Sequence, residues 1–194
     1  MYRGYICFLC FCLIFLSGCF LKKKEADTGS VQLSGLGVTF KLPENFQPLP
    51  KDKLAGMEAL GATALEVEPF TVVPLYAYAE SSGKAVLVIS ELKFNEGGEP
   101  EKYPLDTVYI YKKNLEAHFE VDEISHEEIN GQEITTVLLA MSFDGEDGGV
   151  SLFKGLCYKY PDRFFMVDLY VTNSKITSKD AFGYQNIFNS LGIF

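Results

Sequence analysis

Asn130-Gly131 stands between two long runs, VDEISHEEI and QEITTVLLAMSF. An Asn-Gly pair takes positive φ at both positions at little cost, and a two-residue hairpin turn matching strand twist needs that geometry. The pair predicts an antiparallel hairpin and so commits this part of the chain to a sheet. Two further turn signals follow at strand-length spacing. DGEDGG, Asp144 to Gly149, makes the second, and Pro161-Asp162 makes the third, between SLFKGLCYKY and RFFMVDLYVT. Together they predict a four-stranded meander.

The rest of the chain must cover that sheet. Val31 to Leu42, with glycines at 35 and 37, reads as a hairpin or bent first strand that Pro43-Glu44-Asn45 ends. Lys51 to Leu60 reads as a short helix. Thr71–Ala79 and Ala85–Phe94 read as strands joined across Ser81-Ser82-Gly83. Asn95 to Glu101 is loop, and Pro104 opens a long helix on which Leu105, Val108, Tyr111, Leu115 and Phe119 repeat at three and four residues. A closing helix is capped by Ser178, with Asp180 in its first turn and Ala181, Tyr184, Phe188 and Leu191 along its apolar face. The expected class is α+β: an antiparallel sheet of about six or seven strands with helices packed on its faces.

The amino terminus is of another kind. Tyr5 to Leu16 is uninterrupted apolar sequence after a single Arg3. It is shorter than the roughly 20 residues a membrane span needs, and its order of basic start, apolar stretch and small residues is that of a secretory signal. Leu16-Ser17-Gly18-Cys19 resembles the lipobox of bacterial lipoproteins at all four positions. The resemblance implies removal of residues 1–18 by cleavage between Gly18 and Cys19. It also implies a diacylglycerol thioether on the Cys19 sulfur and usually a further acyl chain, such as palmitate, on the new amino group. One acyl chain binds a bilayer only marginally, and two or three bind durably. Residues 19–30 would be a tether, with Lys22-Lys23-Lys24 either drawn to anionic lipid or simply solubilising its start, and residues 31–194 a single domain. The expected location is the cell membrane or outer membrane, with the domain outside the cytoplasm.

GVTFKLPENF, Gly37 to Phe46, and QNIFNSLGIF, Gln185 to Phe194, resemble the opening strand and closing helix of the Mog1/PsbP-like fold. The element order agrees over nearly the whole body. Members of that fold act mainly as binding and assembly factors, and the matching positions are core and turn, so no site residues carry over.

Composition narrows the function. Hydrophobic residues make up 47% of the chain, too many for disorder. The net charge is −9, becoming −10 without residues 1–18, and no basic stripe with interleaved aromatics is present. Nucleic acid is therefore not an expected partner. Cys7, Cys10 and Cys12 leave with the signal and Cys19 takes lipid, so Cys157 is left without a disulfide partner and reads as a small buried hydrophobe.

His118 lies on the predicted long helix and His126 on a strand, where His126 and Glu128 are weak metal-ligand candidates. No metal is expected, because zinc normally takes three or four ligands. Asp144, Glu146 and Asp147 read as a charged turn. No nucleophile elbow, phosphate loop or dinucleotide fingerprint is present, so no catalytic residue and no cofactor are expected. Tyr76, Tyr78, Tyr103, Tyr109, Tyr111, Tyr158 and Tyr160 fit the edges of an aromatic-rich core, or else an interface patch. The function expected is binding or assembly with another envelope component. A membrane-tethered hydrolase or a small-ligand carrier is the alternative.

Overall fold

The computed structural model describes residues 30–54, 70–94, 118–142, 150–174 and 177–194. In chain order the strands are β1 (Ser30–Leu33), β2 (Val38–Lys41), β3 (Phe46–Pro48), β4 (Phe70–Glu80), β5 (Ala85–Phe94), β6 (His118–Ile129), β7 (Gln132–Ser142), β8 (Val150–Lys159), β9 (Phe164–Ser174) and β10 (Gly192–Ile193). Helix α1 spans Ser178–Asn189, and residues 51–54 are also helical. A seven-stranded sheet runs β3-β4-β5-β9-β8-β7-β6 and a three-stranded sheet runs β1-β2-β10. Every strand pair is antiparallel.

The meander forms as its turns predict. Asn130 and Gly131 have φ of 52° and 80°, the left-handed pair of a tight hairpin. The Tyr160 amide donates to the Arg163 carbonyl at 2.8 Å across Pro161-Asp162. The DGEDGG turn and the helix expected from Pro104 to 117 lie outside the described residues, as does the second half of the helix expected at Lys51–Leu60.

Two expectations need correction. His118 and Phe119 belong to β6 and not to a helix: they pair with Ser142 and Met141 of β7. Long-range strand pairing overrides the helical spacing there. The cap of α1 is Thr177, one residue before Ser178. Thr177 is extended (φ −80°, ψ 161°), its hydroxyl accepts from the Asp180 amide at 3.2 Å, and Asp180 Oδ2 accepts from the Thr177 amide at 2.9 Å. The reciprocal pair satisfies two otherwise orphaned donors. Val31–Leu42 forms the expected hairpin, β1 paired with β2, which β10 extends into a sheet of its own, and the short strands β3 and β10 carry no periodic signal.

One face of the large sheet holds the main core. Leu87, Ile89, Ile134, Leu156, Tyr158, Phe165, Val167 and Leu169 pack there against Tyr184, Ile187 and Leu191 of the closing helix region and against Val38, Phe40 and Ile193 of the small sheet. Opposite it, Ala77, Ala79, Val86 and Val88 pack with Leu49 and Leu54. Burial on both faces explains why Ala85–Ser90 and Phe165–Leu169 are buried at every position without alternation.

Three tight contacts lock the covering elements onto the sheet. Gly37 has φ +64°, and a Cβ there would overlap the Tyr160 ring. The Tyr158 hydroxyl donates to the Leu36 carbonyl at 3.0 Å. The Glu80 carboxylate, buried, accepts from Asn45 Nδ2 at 2.6 Å, Ser82 Oγ at 2.7 Å and the Tyr184 hydroxyl at 3.2 Å, joining two turns to α1.

Candidate functional site

The first candidate region is the β6–β7 hairpin. Successive side chains of a strand alternate faces, so His126 and Glu128 share one face of β6 and Glu127 points to the other. His126 sits opposite Thr135, its Nδ1 lying 3.2 Å from Thr135 Oγ1. His126, Glu127, Glu128 and Gly131 line an open depression of about 390 Å³. His118 starts the same strand eight residues away, roughly 26 Å at strand rise, so the two histidines cannot share one ion. Among the described residues no three His, Cys, Asp or Glu side chains converge on a metal position.

The face of Glu127 leads to a lysine. Lys154 of β8 is half-buried, its Nζ 4.7 Å from the centre of the Phe188 ring. Burial lowers its pKa, and the charges of Glu127 and Glu123 oppose that shift.

The second region lies at the centre of the large sheet, on the face away from α1. β9 is the middle strand of seven, and Asp168 sits in it between Val88 of β5 and Gly155 of β8. It is 1% exposed, and neither carboxyl oxygen has a well-formed hydrogen-bond partner among the described residues. Burial pushes its pKa well above the usual carboxylate range, with a weaker opposing pull from Tyr170. Cys157 packs nearby with Leu92, Met166, Phe94 and Phe164. Burial, then the neighbouring Asp168, raises the thiol to about 12. The thiol therefore keeps its proton at neutral pH, and a protonated thiol is a poor nucleophile. Asp168 was missed from sequence. Its signal was a lone acid inside the apolar run FFMVDLYV.

The tyrosines divide. Tyr158 is buried, while Tyr78 is half-buried with its ring edge-on to Phe40 at 6.1 Å. Tyr160 is half-buried beside Gly37, and Tyr76 is 42% exposed. Tyr103, Tyr109 and Tyr111 lie outside the described residues, as do Gly18 and Cys19. No helix among the described residues is long and apolar enough to cross a membrane.

The structure is similar to that of cyanobacterial PsbP (CyanoP) from Synechocystis. That structure is 10% identical, with 91% of this chain and 98% of that chain covered, at a TM-score of 0.53. The fold is Mog1/PsbP-like. Lower-scoring matches include the Ran-binding protein Mog1p of Saccharomyces cerevisiae, 10% identical over 85% of this chain and 94% of that chain, TM-score 0.46. Another is LpqN of Mycobacterium tuberculosis, described as involved in cell envelope biogenesis, 13% identical over 80% and 82%, TM-score 0.41. At these identities the likeness concerns the fold alone. No protein-family model and no curated protein sequence matches the chain.

Proposed function

We propose that the chain is a bacterial envelope lipoprotein, held to a membrane through acylated Cys19, whose domain acts as a binding or assembly factor for another envelope component. The observation that carries the reading is Leu16-Ser17-Gly18-Cys19 placed directly after a short apolar run with a basic start. The thiol is the side chain best suited to forming a thioether, and small residues before it give a peptidase access to the backbone. Residues 1–18 are the cleaved signal in this reading and residues 19–30 the tether.

The binding half of the reading draws on β6. It is the outer strand of the seven-stranded sheet, and its Glu123, His126, Glu127 and Glu128 are exposed. An acidic edge of this kind suits a partner that presents basic groups, and tethering raises the local concentration so that a modest patch suffices.

Mass spectrometry of the amino-terminal peptide from native membranes tests the anchor: an acylated Cys19 is expected, and an unmodified Cys19 with residues 1–18 attached sinks it. Photo-crosslinkers placed at Glu123 and Glu127 test the partner. A discrete envelope protein captured at these positions, and not at Lys159 on β8, is expected. Equal capture at both would remove β6 as the binding edge.

A further inference from the structure

α1 presents an unusual outer surface. Its inner side buries Tyr184 and Ile187. Outward, at intervals of four, three and four residues, stand Ser178, Phe182, Gln185 and Asn189, all exposed and none of them charged. Gln185 Nε2 donates to Asn189 Oδ1 at 2.9 Å, so part of the polarity of this stripe is satisfied within it. Phe182 is 69% exposed, more than Tyr76 or Phe194, the other large apolar side chains on the described surface. A single exposed phenylalanine is ordinary on a protein surface; its position relative to the tether is what makes this one informative.

β1 begins at Ser30, which pairs with Lys41 of β2. The Lys41 amide in turn donates to Ser190 Oγ at 2.8 Å, immediately after the end of α1. Two residues past Lys41, Pro43 lies against Gly183, the neighbour of Phe182. The chain from residue 19 therefore enters the domain beside α1. Eleven residue steps separate Cys19 from Ser30, a span of at most about 40 Å when fully extended. Lys179 and Lys41 are exposed on this side, while the one acid of α1, Asp180, is engaged by Thr177 and by Lys84 at 3.1 Å.

We infer that the outer face of α1 lies on the bilayer, with Phe182 entering the headgroup region and Lys179 and Lys41 facing anionic lipid. This rests on the acyl anchor at Cys19 proposed above. Apolar contact and basic groups both favour such a surface, and the short tether brings this side of the domain to it.

The chain contains no tryptophan, so Phe182→Trp creates a single reporter at an exposed position. Acylated protein is reconstituted into phosphatidylcholine–phosphatidylglycerol vesicles with brominated acyl chains. Emission from the Phe182→Trp protein shifts to the blue and is quenched by the bromines, whereas Tyr76→Trp, in the middle of β4, keeps the emission of a water-exposed indole. An unshifted, unquenched signal from position 182 in vesicle-bound acylated protein overturns the inference, as does equal quenching at both positions. Failure of the anchor is read separately, from the mass of the amino-terminal peptide, and takes this inference with it.

Discussion

Replacing Asp168 by Asn tests whether the middle of the sheet holds an un-ionised acid. In the unfolded chain this carboxyl titrates near its ordinary value of 3.8, and in the folded chain burial raises it well above that. Between the two values the folded state binds a proton that the unfolded state has released, so stability falls as pH rises. The contribution is fully present below about pH 3.8 and is lost as pH climbs toward the folded value. At most one proton is involved, which limits the slope to about 1.4 kcal/mol per pH unit. Asn has nearly the same shape and cannot ionise. It brings a second N–H that needs a partner, at a cost of roughly 1–3 kcal/mol.

Asp168→Asn is therefore expected to be less stable than the parent near pH 4, and to close or reverse that gap by pH 8. The measurement is urea unfolding followed by far-ultraviolet circular dichroism at pH steps from 4 to 8. The difference between the two curves isolates Asp168 from the other carboxylates. Parallel curves across that range would show a carboxyl ionised at its ordinary pKa inside the folded chain, and the reasoning from burial would be wrong. Asp168→Leu, which removes the polar atoms altogether, should share the flattened pH profile without the added N–H.

Other expectations follow from the contacts around the covering elements. Gly37→Ala costs about 1–2 kcal/mol for the left-handed backbone alone and more from overlap with Tyr160. Pairing it with Tyr160→Ala should recover the overlap and leave the backbone cost, a double-mutant cycle read by denaturant midpoint. Thr177→Ala removes the hydroxyl of the capping box and should lower stability by about 0.5–2 kcal/mol. Hydrogen bonds from Thr177 and then Lys84 hold Asp180 at about 2. Its contribution is present above about pH 3.8 and fades as pH falls toward 2, and the Thr177→Ala protein should lose it at higher pH. With its thiol at about 12, Cys157 should react with iodoacetamide at pH 8 many times more slowly in the folded protein than in urea; equal rates would show an accessible thiolate.

The parts of the fold that were legible in sequence are those ruled by local chemistry. Asn130-Gly131 set the hairpin register because that pair accepts φ of 52° and 80° cheaply. The strands of the meander followed from runs bounded by turn residues. What escaped is what distant parts of the chain decide. β3 and β10 are two or three residues long and exist because β4 and β2 offer them unpaired edges. Phe119 satisfies a helical spacing from Leu105 onward and yet pairs with Met141. The site candidates show the same division. His126 and Glu128 were visible as residues, but their placement on an open hairpin face needed the strand pairing. Asp168 looked like any acid until both faces of β9 were seen to be covered.

The pairing of Thr39 with Gly192 carries a consequence for biogenesis. Strand β2 has β1 on one side and β10 on the other, so the small sheet stays incomplete until residue 193 has been synthesised. Ile193, fully enclosed in the main core, arrives only then. Bringing such distant segments together is slow. Closure of the small sheet is therefore the last pairing the chain can make, after every strand of the large sheet has been synthesised.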